Sequence, residues 1–214
     1  MVGLRKTREE KARDRREAIL EAALKEFTAR GFSDTRIEDV ARRAGVAKGT
    51  IYLHFADKEA LFEGVVRSVV QTDAATRDAV LAIPEGFSVR QLLETYILAS
   101  AGDFATSRMA DVIRLLVSEG LRFPHLIAFY RDEMLTPLME RTRALLEEAR
   151  RRGELRSDDI VAFPMLLGSP MLLGAIWHGM IADRGALDVL KMMQAFIDAL
   201  FRTSGDTGRD DRPA

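Results

Sequence analysis

Thr35-Arg-Ile-Glu-Asp-Val-Ala-Arg-Arg-Ala-Gly-Val-Ala-Lys-Gly-Thr-Ile-Tyr-Leu-His-Phe-Ala-Asp-Lys58 reads as two short helices around a glycine turn. Thr35 followed three residues later by Glu38 has the form of a capping box, which predicts a helix from Arg36. Ile37, Val40, Ala41 and Ala44 follow the i, i+3, i+4, i+7 pattern of one buried face, leaving Arg36, Glu38, Arg42 and Arg43 wet. Gly45 ends this helix. The second helix starts near Ala47 and buries Ile51 and Phe55, so Gly49, Thr50, Tyr52 and Leu53 point outward.

An outward Tyr52 and Leu53, with Lys48 at the helix start and His54 and Lys58 at the far end, suit a helix lying in a DNA major groove. Hydroxyl and lysine groups bond base edges or phosphates, and an outward aliphatic meets thymine methyls. The competing reading is a helical hairpin that only packs. Thr35 and Arg36, at the mouth of the first helix, complete the candidate DNA-contacting set of Thr35, Arg36, Lys48, Gly49, Thr50, Tyr52, Leu53, His54 and Lys58.

Ala44-Gly45-Val46, Lys48-Gly49-Thr50, Tyr52, His54-Phe55 and Asp57-Lys58-Glu59 with Leu61-Phe62 together resemble the DNA-binding signature of the TetR family of transcriptional regulators. The resemblance covers roughly residues 15 to 65; beyond them only length and helical layout support it. The family often has serine or threonine before Lys48, and here it is Ala47. A cap there contributes about 1 kcal/mol, so this helix must lean on Val46, Ile51 and Phe55. The resemblance implies an all-α fold of about nine helices: a helix-turn-helix domain over 1–60, an effector-binding and dimerisation domain over 61–202, and a polar tail over 203–214. It further implies a homodimeric repressor, released from a pseudo-palindromic double-stranded DNA operator by a small, largely apolar effector, with no cofactor and no metal.

The chain has 214 residues and no cysteine, which excludes disulfides, thiol nucleophiles and cysteine-ligated zinc. Net charge is only −1, yet residues 1–60 carry 14 Lys and Arg against 11 Asp and Glu, while the remainder carries 18 against 22. Positive charge thus gathers where the DNA reader sits. Leu4 to Arg16 contains no apolar run, so no signal peptide is expected and the protein is assigned to the cytoplasm, off the membrane. Residues 1–10 are expected to be a mobile basic arm, either along DNA or free in solvent.

Helix 1 is expected to run to Arg30, burying Ile19, Ala23 and Phe27 before Gly31 stops it. Asp57 caps a fourth helix continuing toward Leu81, and Lys58 in its first turn, set against the helix dipole, suggests a phosphate partner. After the break at Ile83-Pro84-Glu85-Gly86, Ser88 with Gln91 makes a capping box, stapled by Phe87 and Leu92, for a fifth helix ending near Gly102. A sixth presents Met109, Val112, Ile113 and Leu116 on one face and stops at Gly120. A long seventh starts at Phe123-Pro124, kinks at Pro137 and ends at Arg150-Arg151-Arg152-Gly153.

Ile160 to Ala182 is an uncharged run of 23 residues, long enough to span a membrane but interrupted by Pro164, Pro170, Gly168, Gly174 and Gly179. A helix apolar on all sides must be covered on all sides, here by its own domain and by a second subunit. Small residues there and the last helix, Ala186 to Phe201, give a candidate dimer interface of Leu167, Met171, Gly174, Ala175, Met193, Phe196, Ile197 and Leu200. Methionines cluster after residue 100, and Phe104, Met109, Ile113, Leu116, Phe129, Met134, Trp177 and His178 are candidates to line an apolar effector pocket, against the reading that they are core. His178 is a satisfied core or interface group, a pocket donor or a metal ligand; His125 is expected to be exposed. No Ser-His-Asp order, phosphate loop or paired carboxylates stand out, so an enzyme on a helical domain is the remote alternative to a regulator. A DNA-binding dimer without effector is the nearer one.

Overall fold

The computed structural model describes residues 7–77, 83–181 and 187–203. Their regular structure is helical apart from one isolated bridge between Leu155 and Phe201. The expected basic arm gives way to helix early. Thr7 N–H donates to Glu10 Oε2 at 2.7 Å and Glu10 N–H to Thr7 Oγ1 at 3.1 Å, a capping box that starts α1 (Arg8–Asp34). Ile19, Ala23 and Phe27 are fully buried, as are Leu20 and Leu24. Gly31, at φ 74° and ψ 173°, breaks the helix there, a conformation open to a residue without Cβ.

α2 (Ile37–Ala44), α3 (Lys48–Tyr52) and α4 (Lys58–Arg77) follow. Gly45 adopts the left-handed conformation at φ 67°, and its N–H caps the Ala41 and Arg42 carbonyls, which turns the chain from α2 into α3. The remaining helices are α5 (Val89–Phe104), α6 (Arg108–Glu119), α7 (Pro124–Tyr130), α8 (Thr136–Arg151), α9 (Met165–Met180) and α10 (Val189–Leu200). Ser88 and Gln91 exchange both bonds of the expected capping box at 3.0 Å each. The expected continuation to Leu81, arm residues 1–6, the helix start at Ala186 and the tail beyond Thr203 lie outside the described residues.

The long seventh helix departs from expectation at its kink. A π-helical turn, Arg131–Leu135, joins α7 to α8, and Pro137 sits in the first turn of α8 instead of bending its middle. Proline has no N–H for the carbonyl four residues back, and widening the ladder for one turn accommodates that loss. With α7 and α8 counted as one rod, the described residues hold nine α-helices.

Two apolar clusters result. One joins α1–α4 to α6, Phe123, Leu126 and Met134; the other joins α5, α8, α9 and α10. In the first, Phe27, Phe32, Phe62 and Phe123 make one aromatic group, with the Phe32 and Phe123 centroids 4.7 Å apart and edge-on. The helical head formed by α1–α4 therefore shares its core with the second half of the chain. Arg114 ties the second half together, donating to the Ala105 carbonyl at 3.1 Å, to the Ala175 carbonyl at 3.0 Å and to Asp111.

The uncharged run is a 3-10 turn (Asp158–Ala162) followed by α9, and α9 is apolar on two sides, as its composition requires. The side assigned to a partner needs correction. Leu167, Ala175, Met193 and Ile197 are buried within the chain, and a Cβ at Gly174 would collide with Val189 of α10. Gly174 serves close packing of α9 on α10 and Gly179 lies against Arg114 of α6, with Met171, Phe196 and Leu200 half-buried. The outward side carries Met165, Leu166, Leu172 and Leu173, next to Phe163, all exposed, Met165 at 62%.

Truncating Phe123 to Ala should cost about 3–5 kcal/mol although it lies outside the head, because it empties the centre of the shared aromatic group. Urea unfolding followed by far-UV circular dichroism checks this; a midpoint unchanged from the parent protein contradicts the shared core.

Candidate nucleic-acid interface

α2 is held on α1 by charge as well as by Ile37, Val40 and Ala41. Glu26 is buried on the apolar face of α1, seven residues after Ile19, and its carboxylate meets Arg43 of α2 at 2.6 Å and Arg30 at 3.3 Å. Arg30 in turn reaches Asp39 of α2 at 3.0 Å. A buried carboxylate needs such partners. A charge within the stripe Ile19, Leu20, Ala23, Leu24 and Phe27 was the signal from which this clamp could be read.

α3 has no side-chain cap at Ala47, and its anchors are the buried Ile51 and Phe55. Arg16 of α1 lies over the Phe55 ring, 5.3 Å from its centroid. What remains outward is Lys48, Gly49, Tyr52 at 46% exposure and Leu53 at 83%, with Thr50 and His54 half-buried and Arg36 exposed at the mouth of α2. An aliphatic side chain so exposed beside a tyrosine has no packing role within the chain. Lys48 Nζ lies 2.5 Å from Glu38 Oε1 and 5.7 Å from the Tyr52 centroid. That contact lowers the Glu38 carboxyl below its ordinary range and raises Lys48 above its own.

Two of the expected DNA contacts, Thr35 and Lys58, are engaged within the chain. Thr35 is 2% exposed and its hydroxyl faces the Gly31 carbonyl at 2.7 Å and the Glu26 carbonyl at 3.1 Å. It forms no capping box with Glu38; the N-cap of α2 is Arg36, without a side-chain bond, because Thr35 turns inward to tie the end of α1. Lys58 Nζ donates to the carbonyls of Phe32 at 2.9 Å, Ser33 at 3.0 Å and Thr35 at 3.1 Å. An ammonium has three donors, and all three are used. The unfavourable position of Lys58 on the dipole of α4, which Asp57 caps by accepting from Ala60 N–H at 2.7 Å, is thus offset by the free carbonyls of the α1–α2 corner.

Most of the expected effector lining packs, among the described residues, in or against the core shared with the head. Met109, Ile113, Leu116 and Met134 are buried in the core shared with the head, and Phe104 and Phe129 pack against it. Trp177 is half-buried and His178 exposed near the end of α9, so His178 is not a core residue of the described chain. His125 is exposed, as expected.

Residues 19–65, the span from the first buried turn of α1 into α4, match the family model "Bacterial regulatory proteins, tetR family", and residues 83–201 match "Tetracyclin repressor-like, C-terminal domain". The chain belongs to the TetR family. It is similar to the transcriptional repressor BepR of Brucella suis, 31% identical over 160 residues that cover 72% of this chain and 75% of that one. The regulator SrpR of Pseudomonas putida is 23% identical over 92% of this chain and 90% of its own. In fold it is similar to a transcriptional regulator from Saccharomonospora viridis solved in complex with choline, at TM-score 0.72 and 20% identity, covering 89% of this chain and all of that one. TetR proteins are DNA-binding transcriptional regulators, not enzymes, and so is this chain. No helix among its described residues is long and apolar enough to cross a membrane.

Replacing Lys58 by Met should cost the head about 1–3 kcal/mol of stability, by leaving carbonyls unsatisfied. The dependence of log affinity on log salt for DNA should stay as in the parent; a slope shallower by about 0.9 would restore Lys58 as a phosphate contact.

Proposed function

We propose that this regulator is a cytoplasmic homodimeric repressor that binds a pseudo-palindromic operator and leaves it when a small molecule binds the second domain. The observation that carries the DNA half is the outward Lys48, Tyr52 and Leu53 on a short helix anchored by Ile51 and Phe55. Arg36, Gly49, Thr50 and His54 complete the proposed contact face. Two such faces, one per protomer, enter successive major grooves about 34–36 Å apart.

Dimerisation is supported by the outward face of α9. Phe163, Met165, Leu166, Leu172 and Leu173 form an exposed apolar surface backed by packed α10, and such a surface marks an interface. Repression is supported by the name of the Brucella suis relative, and an effector by the choline held by the Saccharomonospora viridis neighbour. A second reading, a DNA-binding dimer with no small-molecule effector, is supported by the burial of Met109, Ile113, Leu116 and Met134 in the core shared with the head.

Lys48→Ala and Tyr52→Ala should each weaken binding to an operator selected from random duplexes by about 1–3 kcal/mol, with unfolding unchanged. Unaltered gel-shift titrations at fixed salt would remove α3 from the DNA face. Leu166→Glu with Leu172→Glu should convert dimer to monomer in sedimentation velocity; a persisting dimer places the interface elsewhere. Titration of the operator complex with choline and a panel of apolar amines separates the two readings: release at saturating ligand supports an effector, and none across the panel supports the second.

A further inference from the structure

Lys48, the one lysine on the outward face of α3, is not free. Its ammonium sits 2.5 Å from Glu38 Oε1, on the first turn of α2, and over the Tyr52 ring. Glu38 has no other ion pair among the described residues, and it lies outward beside Arg36 on the same side as α3. The two side chains are 49% and 56% exposed. A pair this wet adds little to stability, so its consequence is where it puts the ammonium.

We propose that Glu38 is a specificity-determining residue, whose carboxylate keeps Lys48 from the phosphates of random DNA and reserves it for an operator base edge. The proposal rests on the reading that α3 faces DNA. Binding to random sequence consists almost wholly of phosphate neutralisation. For Lys48 to join it, an anionic phosphate must either come up against the Glu38 carboxylate or draw the ammonium away and leave that carboxylate bare to the polyanion, a repulsion that a neutral base edge does not meet. With the pair intact, donors of the same ammonium remain for an acceptor such as guanine O6 or N7. The cost of carrying Glu38 therefore falls on the wrong sequences, a repulsive element that raises discrimination instead of affinity.

The experiment measures affinity of the full chain for a selected operator and for a random-sequence duplex of equal length, across a salt series, for the parent, Glu38→Gln, Lys48→Ala and the double variant. Glu38→Gln should bind the random duplex about two- to fivefold tighter, the range an exposed pair supports. Its salt slope there should steepen by about 0.9, one more phosphate neutralised. Operator affinity should change less, so the specificity ratio falls. In the Lys48→Ala background the Glu38 substitution should leave the ratio unchanged. Equal tightening on both duplexes, a ratio that holds or rises, or an effect that survives without Lys48 would each overturn the proposal. Failure of the underlying DNA-face reading shows separately, as operator affinity untouched by Lys48→Ala alone. Thermal unfolding of each variant confirms that the fold is retained; should Glu38→Gln unfold, Glu38→Ser carries the same comparison.

Discussion

Phe32 is the residue through which the head is held. Its ring packs against Phe27, Phe62 and Phe123, and the Lys58 ammonium and Arg122 guanidinium lie 4.6 and 4.9 Å from its centroid. Its N–H donates to Glu119 of α6 at 3.2 Å, and its carbonyl accepts from Lys58. Arg122 also reaches Ser33 at 3.0 Å. Cations near an aromatic face and edge-on rings each add roughly 0.5–1.5 kcal/mol beyond burial. One corner thus joins α1, α4 and α6, and the angle at which α2 and α3 leave it follows from its geometry.

From that corner the functional parts separate by direction. The buried clamp Glu26–Arg43 and the buried Thr35 hold α2, α2 carries the glycine turn, and the turn delivers α3 with its polar and aliphatic face outward. In the other direction α6 leads through Arg114 to α9, whose exposed side is the proposed meeting surface of two protomers. A change of spacing between protomers would reach α3 through the contacts that α6, α7 and the π-helical turn make with α1 and α4, because the core of the head is continuous with theirs. Any effector must then act by different affinities for two arrangements of that shared core.

The fold and the reading helix were legible because both rest on periodicity and local chemistry. Gly45, the Ile51 and Phe55 anchors, the α6 face and the Ser88 capping box all stand within a few residues of the signals that specify them. The intrachain bonds of Thr35 and Lys58 were not legible because their partners, carbonyls at the end of α1, are set by the break at Gly31, which the local pattern of residues 35–58 does not contain. The small residues of α9 were read as an intersubunit surface because composition shows that two faces must be covered without showing which neighbour covers which. Val189 behind Gly174 decides that, and it is a tertiary fact. The effector lining was not legible for the same reason: buried methionines in a shared core and methionines around a ligand have one sequence signature.

The central claim, that a rigid shared core presents the outward face of α3 to DNA, is tested most directly by residue-resolved amide hydrogen exchange of the full chain with and without a selected operator duplex. The account predicts that operator slows exchange over residues 48–54 and that the buried amides of α1, α4 and α6 exchange together in both states. Slowing confined to α5–α10 with residues 48–54 unaffected, or head amides opening independently of α6, would contradict it.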